Sequence, residues 1–257
     1  MGALRATGVS GPVSVAFNPK DSGVLASSRG TTVTLWKIDS GSWKAQACHI
    51  ANRNLTFQEW QLYGQGLCQK TCLELPVHPS VLQYARDLAR QGDEAAARAL
   101  FQRVKDLDHR ADLDPGQEVA IARAQGAVMS AQILLRTKPL EALHVYENAE
   151  KVSASIITAI DWNNVCWSAS TRRLAKEAMI ACEKAIKMNP KNPDFYDSRG
   201  LARALTGDTQ GAITDFQAGL ELGLRAVLKP QRQDWIKALQ AGQNPFTPDV
   251  LKSLGNQ

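Results

Sequence analysis

The C-terminal half of this 257-residue chain repeats itself at a fixed period. Small and large side chains coincide when residues 193–226 are overlaid on residues 159–192, a shift of 34 residues. The coinciding pairs are Tyr196 with Trp162, Gly200 with Cys166, Ala212 with Ala178, Phe216 with Cys182, Gly219 with Ala185, and Leu220 with Ile186. Two packed helices approach closely only where side chains are small, and larger residues one turn away fill the space between them. The period therefore predicts stacked helical hairpins.

The last of these units resembles the tetratricopeptide repeat (TPR), a family of helical hairpins with a period of about 34 residues. Gly207 and Asp208 match the turn between the two helices, and Ala212 matches the close contact of the second helix. Arg199 departs from the pattern, because the family prefers Leu at that position. The preceding unit keeps the aromatic residue Trp162 but lacks the Gly-Asp turn. The resemblance implies a right-handed array of hairpins.

Two weaker units are predicted upstream of this pair. Residues 91–101 match the turn and the second helix, and residues 140–146 match less well. An insertion around residues 107–115 interrupts the period between them. We therefore expect a mainly α fold, a TPR-like α-solenoid with about four hairpins over residues 79–225. Capping helices over residues 226–257 would cover the end of the stack.

The N-terminal region has a β-like pattern instead. Residues 10–40 contain three short alternating or apolar stretches, separated by turn residues, which predict a small antiparallel β segment. The order of strands and turns resembles one blade of a WD40 propeller. The family pattern ends in Trp-Asp, whereas Lys37 follows Trp36 here, and Arg29 replaces the usual Asp of the preceding turn. A propeller needs several blades to bury its faces, so we expect a single, incomplete blade.

Residues 41–78 are predicted to form a helical linker between the blade and the hairpins. Thr56 and Glu59 form the pattern of a capping box at the start of one of its helices. The run from Trp43 to Trp60, directly after the blade, resembles the C-terminal tail of bacterial multidomain WD40-repeat proteins. Members of that family often carry a signalling nucleotidase or a protease-like effector domain upstream of the propeller. The resemblance implies that this chain is the C-terminal piece of such a protein.

Composition narrows the classes of function. The chain has 30 Lys+Arg against 25 Asp+Glu, but acidic residues are interspersed almost throughout, which disfavours nucleic-acid binding. No apolar stretch reaches the ~18 residues that a membrane span needs. The odd count of five cysteines indicates a reducing compartment and cysteines that pack between helices. Residues 1–5 lack the apolar core of a signal peptide, so we expect a cytoplasmic protein.

No constellation of residues indicates catalysis or a metal site. The cysteines and histidines of residues 48–78 lie close in sequence, but Cys68 and Cys72 are spaced C-x3-C and no second pair matches. The chain has no Gly-x-Ser-x-Gly elbow and no Gly-x4-Gly-Lys-Ser/Thr phosphate loop. We therefore expect no enzyme, no cofactor and no metal.

The resemblance to TPR arrays indicates where a partner would bind. In such arrays the first helix of each hairpin lines a concave groove that holds an extended or helical peptide. Transferring that geometry predicts six partner-binding residues, which are Arg86, Arg90, Asn163, Trp167, Asp197 and Leu201. They do not reproduce the Lys/Asn/Arg clamp that some TPR domains use for C-terminal carboxylates. The alternative interpretation is that Trp167 belongs to the core and the arginines are solvated.

Two functions follow from these patterns. The first is a non-catalytic interaction or scaffold module that binds a protein partner through the helical groove. The second is a detached sensor tail of a WD40-containing signalling NTPase. Such a tail would work only with its upstream domains, and its partner would be an upstream WD40 propeller fragment.

Overall fold

The computed structural model describes residues 13–29 and 31–256. Its strands are β1 Val13–Asn18, β2 Asp21–Arg29 and β3 Thr32–Lys37. Its α-helices are α1 Ser40–Ala51, α2 Phe57–Tyr63, α3 Pro79–Arg90, α4 Glu94–Leu107, α5 Pro115–Leu134, α6 Pro139–Val152, α7 Ala159–Ser170, α8 Ala175–Met188, α9 Pro193–Leu205, α10 Thr209–Glu221, α11 Lys229–Gln240 and α12 Pro248–Leu254. The predicted mainly helical fold with a small N-terminal antiparallel sheet is confirmed. The predicted start of the blade at residues 10–12 and the chain start at residues 1–5 lie outside the described residues.

The chain divides into two compact units. Unit 1 holds the described residues up to Tyr84 together with Leu100–Leu113, and unit 2 holds Ala85–Ala99 and the residues from Asp114 onward. The division falls within α3 and α4, so each of these helices contributes to both units. Unit 1 contains the sheet, and unit 2 contains the repeat identified in the sequence.

The sheet of unit 1 is an antiparallel meander in which β2 pairs with β1 and with β3. The register opposes Phe17 to Leu25 and Leu25 to Trp36, which places these three side chains on one face. Val33 and Leu35 alternate with them and lie on the other face. Phe17, Trp36, Val33 and Leu35 are all more than half exposed. Both faces of the sheet therefore present apolar side chains that unit 1 does not bury.

A single buried amide organises the loops of unit 1. Asn54 is 3% exposed, and its Nδ2 donates to the carbonyl oxygens of Cys72, Leu75 and Pro76 at 3.1, 3.0 and 2.8 Å. Its Oδ1 accepts from the Cys72 amide at 2.7 Å and from the Thr71 hydroxyl at 3.1 Å. One side chain thus satisfies backbone groups that no helix or strand in this stretch can pair.

We expect Asn54→Ala to destabilise unit 1 by about 2–4 kcal/mol, because the buried peptide groups of Cys72 and the part-buried carbonyls of Leu75 and Pro76 lose their partner. Hydrogen exchange at the Cys72 amide measures the effect directly, since that amide donates to Asn54. Gln61→Ala, at an exposed position of α2, serves as the control and leaves this exchange unchanged. Equal protection of the Cys72 amide in both variants would contradict the role given to Asn54.

The helices of unit 2 begin and end at local signals. Thr158 and Asp161 form a capping box at the start of α7. Asn192 and Asp208 accept hydrogen bonds from backbone amides at the starts of α9 and α10. Gly207 has a φ of +89° in the turn between these helices, a conformation that favours glycine. The turn chemistry read from the sequence therefore sets the α9–α10 hairpin.

Small residues of the repeat lie where the helices of unit 2 meet. α7 packs against α8, and α9 packs against α10 and also contacts α7 and α8. Trp162, Ala178 and Ala185 of one repeat are fully buried, as are Ala212 and Phe216 of the next. The 34-residue period thus marks core positions of two stacked hairpins.

The prediction that the cysteines are reduced is wrong, because four of the five are paired. Cys48 is bonded to Cys72 in unit 1 and Cys166 to Cys182 in unit 2, with Cα atoms 5.6 and 4.9 Å apart. Cys68 is free. An odd count cannot exclude disulfides, since it requires only that one thiol is left over.

The second disulfide occupies two positions of the repeat. Cys166 and Cys182 align with Gly200 and Phe216 of the following hairpin. A Cβ on Gly200 would lie 2.8 Å from the Phe216 ring, so the aromatic ring requires glycine opposite it. Neighbouring hairpins therefore join the same two positions by different means, one by a covalent bond and the other by close packing.

Candidate protein-binding surface

Asn163 and Trp167 lie one turn apart on α7, the first helix of its hairpin. Both residues are half-buried, and Trp167 packs against an apolar cluster that contains Leu201 of α9. We call the side of α7 and α9 on which these three residues lie the first-helix face. Two of the residues predicted to bind a partner therefore lie together and partly accessible.

Arg86 and Arg90 of α3 are engaged with neighbouring side chains. Arg86 Nη2 lies 3.0 Å from Glu118 Oε2 of α5. Arg90 Nη1 donates to Asp87 Oδ1 at 2.8 Å, and its Nη2 donates to Gln125 Oε1 at 3.1 Å. The two arginines are half-buried links to α5, rather than the freely solvated side chains of the alternative interpretation.

The predicted roles of Asp197 and Leu201 need correction. Leu201 is fully buried, and Asp197 is 5% exposed. A partner cannot reach either side chain unless the elements that cover it move, so Leu201 acts as a core residue here and Asp197 as half of an ion pair. The prediction placed them on the open groove because it did not include the packing of the C-terminal residues over α9.

The partner of Asp197 is Arg232 of α11, a residue that the sequence did not single out. Arg232 Nε and Nη2 donate to the two carboxylate oxygens of Asp197 at 2.8 and 2.6 Å. The side chains are 1% and 6% exposed, and the guanidinium stacks over Trp235 with its carbon 4.3 Å from the ring centroid. An Arg one helical turn before a Trp, on a helix predicted to cap the stack, was the only sequence signal for this pair.

A second charged cluster explains the departure of Arg199 from the TPR pattern. Asp215 of α10 is 2% exposed and accepts from Arg199 Nε and Nη2 at 2.8 and 2.7 Å. Arg203 Nη1 lies 2.9 Å from the same carboxylate. The hydrogen bond to Asp215 raises the pKa of Arg199. A buried carboxylate thus holds the Arg199 side chain at a position where the TPR pattern has leucine.

The C-terminal segment, residues 243–256, covers part of the first-helix face. One apolar cluster joins α9, α10 and α11 to this segment, and it consists of Leu201, Ala212, Ile213, Phe216, Trp235, Ile236, Leu239, Phe246, Leu251 and Leu254. Beyond α12, a Cβ on Gly255 would lie 3.5 Å from Thr171, the residue that follows α7. The segment therefore extends from α11 to the end of α7, and it shares the cluster that buries Leu201.

A surface depression of about 350 Å³ lies between α12 and the turn that follows α7. Its lining residues are Thr171, Arg172, Arg173, Pro248, Leu251, Lys252, Gly255 and Asn256. This set contains three cations and no carboxylate side chain. Arg172 donates from Nη1 to the Ser168 carbonyl at 2.9 Å. The depression therefore has a basic rim to which α12 itself contributes Lys252.

Four buried polar side-chain atoms have no hydrogen-bond partner in the described part of the chain, namely Arg90 Nε, Tyr146 Oη, Asn163 Oδ1 and Ser170 Oγ. Tyr146 and Ser170 are completely buried. Burial raises the pKa of the Tyr146 hydroxyl to about 12. Arg90 already uses its two terminal nitrogens. Asn163 is the half-buried residue of α7 whose amide oxygen is left unsatisfied.

Residues 13–29 and 31–256 contain neither a metal cluster nor a membrane-spanning helix. No group of three or more His, Cys, Asp or Glu residues in these ranges is placed to hold a metal ion. Among the same residues, no helix combines the length and apolar character needed to cross a bilayer.

Three solved structures are similar to this chain, and two of them are described as TPR structures. The P58(IPK) TPR domain has 18% sequence identity and a TM-score of 0.40, covering 63% of this chain and 46% of that one. YrrB, described as a TPR protein with an unusual peptide-binding site, has 14% identity, a TM-score of 0.38 and coverage of 68% and 84%. A mutant of MamA has 16% identity, a TM-score of 0.37 and coverage of 68% and 94%. No protein-family model and no curated protein matches the sequence.

Proposed function

We propose that unit 2 is a non-catalytic protein-binding module and that its first-helix face holds a peptide segment of a partner protein. The observation that carries this proposal is the unsatisfied amide oxygen of Asn163, which lies one turn from the half-buried indole of Trp167. A buried acceptor without a partner costs about 1–3 kcal/mol. A backbone N–H of a bound peptide would satisfy it once the half-buried Asn163 side chain turns its amide group toward the peptide.

Trp167 supplies the second element of such a site. Its half-buried indole offers an apolar surface on which a peptide side chain could pack, and aromatic residues of this kind dominate many binding interfaces. An acceptor for the peptide backbone and an apolar surface for a side chain are what recognition of an extended or helical segment requires. This pairing needs no cofactor or metal.

We expect Asn163→Ala to weaken peptide binding at least about tenfold while leaving the free energy of unfolding unchanged or higher, since it removes an unsatisfied buried acceptor. Peptides for this measurement are selected from a random phage-displayed library on the full chain, and their affinities are measured by fluorescence anisotropy. Asn164→Ala, at the neighbouring exposed position, is the matched control and binds as the unmodified chain does. Selection of no peptide that depends on Asn163 would refute the proposed site.

The exposed sheet of unit 1 favours a second candidate function. Apolar side chains lie open on both of its faces, as a propeller blade without neighbours would present them. On this proposal, residues 10–40 are the last WD40 blade, residues 41–78 link it to the hairpins, and the chain is the sensor tail of a signalling NTPase. Co-expression with an adjacent reading frame that encodes further blades tests it. Burial of Phe17 and Leu35 in the joint product is the expected result.

The sequence and the disulfides favour different cellular locations for this protein. The cytoplasm is the location predicted from the sequence. The two disulfides are instead typical of proteins in oxidising compartments. Trapping of free thiols during extraction from the source cells distinguishes them, because a cytoplasmic chain would have five reactive cysteines and an oxidised chain would have one.

A further inference from the structure

The C-terminal segment has the properties of a bound peptide. It contacts the array through a few apolar side chains, of which Phe246, Leu251 and Leu254 are buried. Phe246 packs edge-on to Trp235, with ring centroids 4.9 Å apart. The connection to α11 passes through Gly242, whose φ is +74°. An aromatic anchor followed by leucines one helical turn apart is the pattern of a short helix docked on a groove.

The helix of this segment has little stability of its own. α12 has seven residues, and isolated helices shorter than about 12 residues are marginal in water. Its helical state therefore depends on the contacts that Leu251 and Leu254 make with the array. When those contacts break, the segment would also lose its helix, so that docking and folding of α12 occur together.

The charge of Lys252 suits the last turn of α12 but adds a third cation to the depression against which that helix docks. Lys252 lines the depression after α7 together with Arg172 and Arg173, and no carboxylate side chain lines it with them. Like charges at one site weaken an interface, and a carboxylate at the same position would be attracted. The apolar side chains of the segment thus stabilise its contact with the array, whereas the charge of Lys252 weakens that contact.

We propose that residues 243–256 are an intramolecular ligand that a partner protein displaces from the first-helix face. This inference rests on the proposed peptide-binding function and specifies its partner. The partner carries a segment with an aromatic residue followed by two leucine-like residues spaced three apart. An acidic residue comes directly after the first leucine-like residue. That acidic residue takes the place of Lys252 beside Arg172 and Arg173. The partner segment therefore binds the first-helix face more tightly than the C-terminal segment does.

Two fluorescent synthetic peptides test this proposal. One has the sequence of residues 243–256, and the other carries the Lys252→Glu change. The proteins are the full chain, an opened variant with Leu251→Ala and Leu254→Ala, and a closed variant with Lys252→Glu. Lys187→Glu, an equal charge change at an exposed position of α8 outside the depression, is the control.

We expect the opened variant to bind both peptides. Its affinity for the Lys252→Glu peptide should be about tenfold higher than its affinity for the peptide of unmodified sequence. The unmodified chain should bind about 100-fold more weakly than the opened variant, because its own segment competes at a high effective concentration. The closed variant should bind more weakly still, and Lys187→Glu should bind as the unmodified chain does. Equal affinities across the four proteins would overturn the proposal.

A second measurement applies even if the opened variant does not fold. The Lys252→Glu peptide, added in excess to the unmodified chain, should speed hydrogen exchange at amides 251–254 and leave α9 and α10 protected. Unchanged exchange would overturn displacement. If library peptides still bind in an Asn163-dependent manner while neither tail peptide binds, this inference fails and the proposed function stands. If no peptide of either kind binds, the proposed function fails as well.

Discussion

Replacing Arg232 by methionine is expected to lower the free energy of unfolding by about 3–5 kcal/mol, because it leaves the Asp197 carboxylate buried without its partner. Asp197 and Arg232 form two direct hydrogen bonds at 2.8 and 2.6 Å, and both side chains are almost completely enclosed. Urea denaturation followed by circular dichroism measures the loss. This change is among the two largest that we expect from substitutions in this chain.

The double variant Asp197→Leu with Arg232→Met separates the charge from the packing. Replacement of both members of a buried ion pair by apolar residues of similar volume is often nearly neutral, so we expect the double variant to recover most of the loss. Lys237→Met, which breaks the exposed pair with Asp234 on the same helix, is the control and should change stability by less than about 1 kcal/mol. A loss in Arg232→Met no larger than in this control would show that the buried pair does not matter.

Removal of the Cys166–Cys182 disulfide is the other large effect. The bond closes a loop with a sequence separation of 16, and a loop of about 15 residues corresponds to about 3 kcal/mol of stabilisation through the unfolded chain. We expect this loss for Cys166→Ala with Cys182→Ala, measured by urea denaturation without reductant. Substitution is preferable to chemical reduction, because a reductant would also open the Cys48–Cys72 bond.

The following hairpin supplies a matched test of the same position. Cys166→Gly with Cys182→Phe installs the Gly200 and Phe216 pair one repeat earlier. We expect this variant to be more stable than the alanine double variant, because the ring fills space between helices that glycine leaves open. If the alanine variant is as stable as the unmodified chain, the disulfide contributes nothing to stability.

Local signals explain why the hairpins of unit 2 were predictable. The capping residues Thr158, Asn192 and Asp208 act on amides within three residues, and Gly207 acts within its own turn. Interactions of this range depend on neighbouring residues in the chain, so they can be read without knowledge of the fold. The small antiparallel sheet was predictable for the same reason, since its strands are consecutive and joined by short turns.

The candidate surface was predictable only in part. The TPR resemblance pointed to Asn163 and Trp167, which the structure leaves partly accessible. It also pointed to Asp197 and Leu201, whose burial depends on α11 and the C-terminal segment. The sequence pattern of a helix shows which of its positions could face a groove. It does not show which distant segment of the chain will cover those positions.

Local chemistry and the 34-residue period were sufficient to establish the class of fold, the positions of the hairpins and the residues that lie between them. Long-range packing decided the rest. Asp197 meets Arg232 across a separation of 35 residues, and Cys166 meets Cys182 only because a hairpin brings their Cα atoms to 4.9 Å. The C-terminal segment covers α9 for a similar reason, since only the folded array creates the apolar surface on which Leu251 and Leu254 dock.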